Sequence, residues 1–367
     1  MLDPVIAFIT RAFEYLGRAI GTAIAWLLWP FLAFRRWLRG KGWFVKIPVF
    51  VLLAALVVGY AYMFYITQFW SPPSPTLVQK YVGEEFSMAA GEETGDGTCQ
   101  ASAMVVSVQD IIDMNVNQAT WVSSNPLHKA GFFFVMNWRE TPFFDNRAAF
   151  QLGMNQAVRR TTLEMVDRLG RVRGTSSINE NLQFAREAAN YRETAWFITA
   201  TPPFFQPTTQ QRLRDASGFL GAFNEELVTC GAFFDTRADN LLQFLDRVTS
   251  DIGSTSQILQ DQIQLGGVTG FDRRADDRFW FTYGQLYAYY MVLTAARSDF
   301  QNVIQQRNLD DLWQRLDDNF LDALDAQPFF VANANSSSLI KSHLESIGFS
   351  LLRARTNLTE IRDVLDR

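Results

Sequence analysis

Two histidines and two cysteines are the whole supply of imidazole and thiol groups in this chain of 367 residues. His128 falls in a stretch of loop composition and His343 in a helical one. Neither belongs to an H-E-x-x-H spacing, and no compact Cys/His set offers the three or four ligands that zinc takes. The acidic stretch Gly91-Glu92-Glu93-Thr94-Gly95-Asp96-Gly97 lacks the alternating ligand positions of an EF-hand and reads as an exposed loop. No G-x-S-x-G turn presents a serine, and Leu265-Gly266-Gly267-Val268-Thr269-Gly270 has no Walker lysine, so it reads as a turn between helices. No metal and no cofactor is expected.

Carboxylates are the remaining candidates. Glu84-Glu85, Glu225-Glu226, Asp276-Asp277 and Asp310-Asp311 are adjacent pairs, and any two acids facing a cleft could act as acid and base on a glycosidic bond. Solvated helix faces and first turns of helices explain such pairs more simply, and that is the preferred reading. Cys99 and Cys230 could form a disulfide in an oxidising compartment, closing a loop of about 130 residues worth roughly 4 to 5 kcal/mol in the chain-entropy model. Two buried thiols that never meet is the alternative, because sequence does not set their separation.

The elements that would position these groups begin with a membrane segment. Ile47 to Phe69 is 23 residues without a charge, about 34 Å as a helix against a hydrocarbon core of about 30 Å. Trp43, Phe44, Tyr60, Tyr62, Tyr65 and Trp70 suit the aromatic belts at its two ends. A cleaved signal peptide would have a shorter core and a small-residue cleavage site. Here the run exits into Ser71-Pro72-Pro73-Ser74-Pro75, which reads as a stiff extended linker. Arg35, Arg36, Arg39, Lys41 and Lys46 lie on the N-terminal side, which the positive-inside rule keeps in the cytoplasm. Ala19 to Phe34 is a second apolar run that could lie in the interface, enter and return, or cross when tilted. Ile6, Ile9, Phe13, Leu16 and Ile20 recur upstream at the spacing of an interfacial helix.

The net charge of -5 divides unevenly: residues 1–69 sum to +5 and the remainder to -10. A nucleic-acid partner is not expected from an acidic outer domain. Beyond the linker, helical signals run from Thr76 to Met88, Cys99 to Ala119, Asp145 to Gly170, Ser177 (with Glu180, a capping box) to Trp196, Gln210 to Cys230, Asp235 to Ile252 and Asp272 to Gln306. Leu309, Leu312, Leu316, Phe320 and Leu324 mark a shorter one. Residues 120–141, with a Phe132-Phe133-Phe134-Val135 run, are the least helical and leave room for a short β-like excursion. The helix around Trp280 to Tyr290 has aromatics all round, as a central core helix would. Ile340, Leu344, Ile347, Leu351, Ala354, Leu358, Ile361 and Leu365 form a heptad seam, satisfied either by neighbouring helices of the same domain, the preferred reading, or by another copy of the chain.

The fold expected is therefore all-α: an interfacial segment (1–46), a transmembrane helix (47–69), a Pro-rich linker (70–75) and a multi-helix bundle (76–367). Asp145-Asn146 with Phe150-Gln151-Leu152-Gly153, then Arg171-Val172-Arg173-Gly174, then Arg237-Ala238-Asp239-Asn240-Leu241 resemble the bacterial inner-membrane proteins grouped as domain-of-unknown-function family 2333. The resemblance implies a bacterial inner-membrane location and supplies no activity and no catalytic residues. From the residues themselves, Asp145 reads as a helix cap and Gly153 as a close helix-packing point. Asp145, Asn146, Arg173, Arg237, Asp239 and Asn240 are candidates for an interhelical polar network. The expected function is a non-enzymatic scaffold or assembly protein on the periplasmic side, in contact with the bilayer and associating with itself or with other envelope proteins. A carboxylate-based glycan hydrolase and a carrier of lipid or another apolar ligand are the alternatives.

Overall fold

Apolar residues without a break, followed by helical periodicities separated by Gly, Pro and capping residues, produce a chain of helices with no sheet among the described residues. The computed structural model describes residues 3–141, 144–171, 178–335 and 337–367. The chain divides into two compact units, Met1–Tyr62 and Met63–Arg367.

The first unit holds α1 (Asp3–Arg39) and most of α2 (Trp43–Gln68). The amphipathic stretch and the second apolar run, considered separately above, are one continuous helix that passes through Pro30. Both helices are long and apolar enough to cross a membrane, and they leave large side chains such as Trp26, Phe31, Phe50 and Val57 exposed.

The second unit takes in the last turns of α2, where Met63, Ile66 and Thr67 are buried. The Pro-rich residues that follow are not a free spacer. Trp70 packs against Phe150 and Trp280 at ring-centroid distances of 5.4 and 5.2 Å, and the Tyr287 hydroxyl donates to the Ser74 carbonyl at 3.1 Å. The expected helix over 76–88 is instead two 3-10 segments, Pro75–Val82 and Glu84–Phe86, parted by Gly83 in an extended conformation.

The bundle then comprises α3 (Ala103–Val116), α4 (Pro126–Ala130), α5 (Asn146–Glu164), α6 (Glu180–Ala189), α7 (Thr209–Val228), α8 (Ala238–Ile263), α9 (Ala275–Asp299), α10 (Gln301–Gln306), α11 (Asp310–Leu324) and α12 (His343–Leu365). Ser102, Asn179, Thr208 and Ser342 cap α3, α6, α7 and α12 by accepting a backbone N–H, as short polar side chains do at this position. The cap of α6 is thus Asn179 and not Ser177, which lies outside the described residues. Residues 120–141 hold α4, a 3-10 turn at Trp138–Glu140 and one isolated antiparallel bridge between Phe132 and Met136, so the β-like excursion amounts to that single bridge.

α9 is the axis of the domain. Its aromatics, Phe279, Tyr283, Tyr287 and Tyr289 among them, are buried, and it packs on α3, α5, α8, α11 and α12. The contact with α5 is the most extensive, and two glycines make it possible. A Cβ at Gly153 would lie 2.0 Å from the Phe281 carbonyl oxygen, and one at Gly284 would lie 2.1 Å from that of Phe150. No side chain fits there, so the two backbones meet directly. The heptad seam of α12 faces inward: Leu344, Ile347, Leu351, Ala354, Leu358, Ile361 and Leu365 are buried against α8, α9 and α11, each large apolar side chain contributing about 1.5–3 kcal/mol. The seam is therefore not an open surface for association. Ile340, assigned to it by spacing, precedes the helix and is 50% exposed.

Candidate functional site

α5 and α9 run in the same direction past each other, so the start of α5 meets the start of α9. Asp145 and Asn146 stand at one helix start, Asp276 and Asp277 at the other. Asp145 occupies the N-cap position but makes no capping bond. It is 1% exposed, neither of its carboxyl oxygens has a hydrogen-bond partner among the described residues, and the Asp277 side chain is a close neighbour. Two carboxyl groups so placed need one proton between them. Burial first, then the charges of Asp277 and Asp276, push the Asp145 carboxyl well above the usual carboxylate range. Asp276 is 3% exposed, and burial followed by repulsion from Asp277 pushes it up to about 7.

Asn146 ties the two helix starts together. In the orientation that satisfies its neighbours, its amide nitrogen donates to Asp276 Oδ2 at 2.9 Å and its oxygen accepts from Trp280 Nε1 at 3.2 Å. In front of the cluster is a cavity of about 390 Å³ lined by Asp145, Asp277, His128, Glu140, Arg274 and Arg278, with Arg159 and Glu193 also on its wall. Glu193 is held by Arg159 Nη1 at 2.9 Å and Asn155 Nδ2 at 3.0 Å, and the His128 ring stacks on Trp138. The cavity thus mixes carboxyls with guanidinium groups, and burial holds the Asp145 carboxyl on its wall well above the usual carboxylate range.

A second buried acid contrasts with the first. Asp251 accepts from Gln156 Nε2 and Gln285 Nε2, each at 2.8 Å, and from the Tyr289 hydroxyl at 2.6 Å, with Arg160 3.8 Å away. These bonds to one carboxylate tie α5, α8 and α9 together.

The residues proposed as one polar network fall in two places. Asp145 and Asn146 join the acid cluster. Arg237 instead pairs with Asp235 through Nε at 2.9 Å and Nη2 at 2.6 Å, lies 3.8 Å from Asp239, and Asn240 Nδ2 donates to the Asp235 carbonyl at 3.3 Å. This set is local to the turn before α8, and Asp235, buried beside Asn240, carries no sequence signal beyond its place at a helix start. Arg173 lies outside the described residues. Of the adjacent acid pairs, Glu84-Glu85 and Asp310-Asp311 are exposed, and Glu226 accepts from Asn179 and Asn181. Asp276-Asp277 departs from the solvated reading, because α9 starts inside the bundle. Cys99 and Cys230 are joined by a disulfide, with Cα atoms 5.3 Å apart.

The Phe150-Gln151-Leu152-Gly153 motif now has physical content. Phe150 receives Trp70, Gly153 permits the α9 crossing, and Gln151 binds the chain ahead of α5 by accepting from Val122 N at 3.0 Å and donating to the Thr120 carbonyl at 2.9 Å. His343 Nδ1 accepts from Ala332 N at 3.0 Å, a structural role. Among the described residues no group of three or more His, Cys, Asp or Glu is arranged to hold a metal ion.

Fold and site define an all-helical bundle domain that follows two apolar helices in the chain and carries a buried carboxyl cluster where two parallel helices start. The chain belongs to a bacterial family: residues 41–268 match the family described as "Uncharacterized protein conserved in bacteria (DUF2333)". No curated protein and no solved structure matches it.

Proposed function

We propose that this protein is a scaffold of the bacterial inner membrane, anchored by α2 with its N-terminus in the cytoplasm and its helical domain in the periplasm, where it organises copies of itself or other envelope proteins. The observation that carries this reading is the way the domain incorporates the end of the apolar helix. Met63, Ile66 and Thr67 are core residues, and Arg147 Nη1 donates to the Ile66 carbonyl at 2.6 Å. The end of the apolar helix thus belongs to the domain's own fold with no free linker between them, as suits an assembly platform at a membrane surface. The basic residues ahead of α2 support the orientation, and the Cys99–Cys230 disulfide suits an oxidising compartment.

The test is the mass of the intact complex extracted in mild detergent, read by native mass spectrometry together with crosslinking in cells. A multiple of the chain mass, or a stoichiometric second protein found by both methods, is expected. A single chain in every detergent, with no crosslinked product in cells, overturns the scaffold.

The acid cluster favours a second reading, a carboxylate hydrolase acting on an envelope glycan. Glycosidases hold their two carboxyls about 5 to 9.5 Å apart, whereas Asp277 is near enough to raise the Asp145 carboxyl, a pairing that suits a shared proton better than a sugar held between the two. Asp145→Asn and Asp277→Asn should therefore leave the cellular role intact if the protein folds; abolition by both, with normal abundance and melting, would favour the hydrolase.

A further inference from the structure

The run Phe132-Phe133-Phe134-Val135 closes on itself: Phe132 N donates to the Met136 carbonyl at 2.8 Å, and Val135 N to the Phe132 carbonyl at 3.1 Å. Gly131, at φ +88°, makes room for this, because a Cβ there would lie 2.6 Å from the Met136 oxygen. Phe133 and Phe134 sit at φ 49° and 60°, a left-handed conformation that bulky side chains rarely adopt. The result is a turn whose tip projects Phe133, Phe134 and Val135 at 58%, 61% and 83% exposure.

Phe132 points the other way and roots the turn. Its ring meets Trp138 at 5.2 Å and Phe144 at 5.3 Å, and Phe144 in turn meets Phe64, near the end of α2, at 5.8 Å. Two ring contacts thus connect the tip to the last turns of the apolar helix. Residues 130–136 carry no charge, and Lys129 beside them is exposed, placed to meet a lipid phosphate.

We propose that the 131–136 turn is a second membrane contact, an aromatic wedge that inserts into the outer leaflet of the bilayer that α2 spans. Apolar and aromatic side chains next to a membrane exit bury their surface in the headgroup and acyl boundary. The wedge rests on the anchor reading, because the tip lies at the bilayer only if α2 spans it.

The test uses the full-length protein, whose native cysteines are bridged, in nanodiscs of phosphatidylcholine and phosphatidylglycerol with and without brominated acyl chains. A polarity-sensitive dye is attached in turn to Val135→Cys, to Val57→Cys in the span and to Gln306→Cys. Gln306 is exposed at the end of α10, which follows the C-terminal end of α9, itself about 30 Å from Trp280 by helix rise. The wedge predicts blue-shifted emission at 135, quenched by brominated lipid as at 57, with neither effect at 306. Quenching at 57 alone overturns the wedge and leaves the anchor standing, whereas no quenching at 57 overturns both. A blue shift at 135 that ignores brominated lipid also overturns it and assigns the tip to a protein partner.

Discussion

The last helix and the 131–136 turn each carry a set of large apolar residues, yet α12 buries the seam along its face while the turn exposes three large side chains in succession. Spacing makes the difference. At alternating intervals of three and four, apolar residues share one face of a helix, and a single packing surface covers them all. Four in a row point in every direction whatever the backbone does, so one of them, Phe132, turns inward and the others are left outside. A periodic apolar set is a fold signal, and a consecutive one beside a membrane exit is a candidate for contact with something other than the fold.

The sharpest break in this comparison is Leu351→Ala. It should destabilise the reconstituted protein by about 2–5 kcal/mol, read as a shift in the denaturation midpoint; a shift of less than about 1 kcal/mol would mean that the seam is not the core element described here. Next in size is the acid cluster, which the chain reaches directly after Phe144. The Asp276 carboxyl, pushed up to about 7, keeps its proton in the native state where the unfolded chain has already lost it. Its contribution is therefore full below about pH 4 and declines as the pH rises toward 7. Asp276→Asn should flatten that decline, measured as the difference in midpoint between about pH 4 and about pH 8; an unchanged slope would show that other groups set it. The smallest effects belong to Ile340→Ala and Val135→Ser, each expected within about 0.5 kcal/mol of the parent. A large loss at Ile340 would extend the seam beyond the helix, and one at Val135 would place the tip in the core.

The same contrast explains what could be read from sequence. The seam, the apolar span and the buried character of α9 are local patterns, each visible within one helix length. The strong departures came where a pattern was short or where distant segments meet. Residues 76–88 have helical composition, but Gly83 divides them into 3-10 turns, and the Pro-rich stretch looked like a spacer because nothing local reveals that Trp70 finds Phe150 and Trp280. The acid cluster was least legible. In sequence Asp145 reads as a cap and Asp276 as half of a solvated pair, and only the direct backbone contact at Gly153 and Gly284 brings the helix starts together. The Asp251 network likewise draws its donors from Gln156, Gln285 and Tyr289, none of which announces itself.

The central claim is that α2 holds this domain on the far side of the bacterial inner membrane, and a pair of reporters fused after Arg367 tests it most directly. A reporter that works only outside the cytoplasm should be active there, and one that works only inside should be silent. The reverse pattern would place the domain in the cytoplasm and contradict the account.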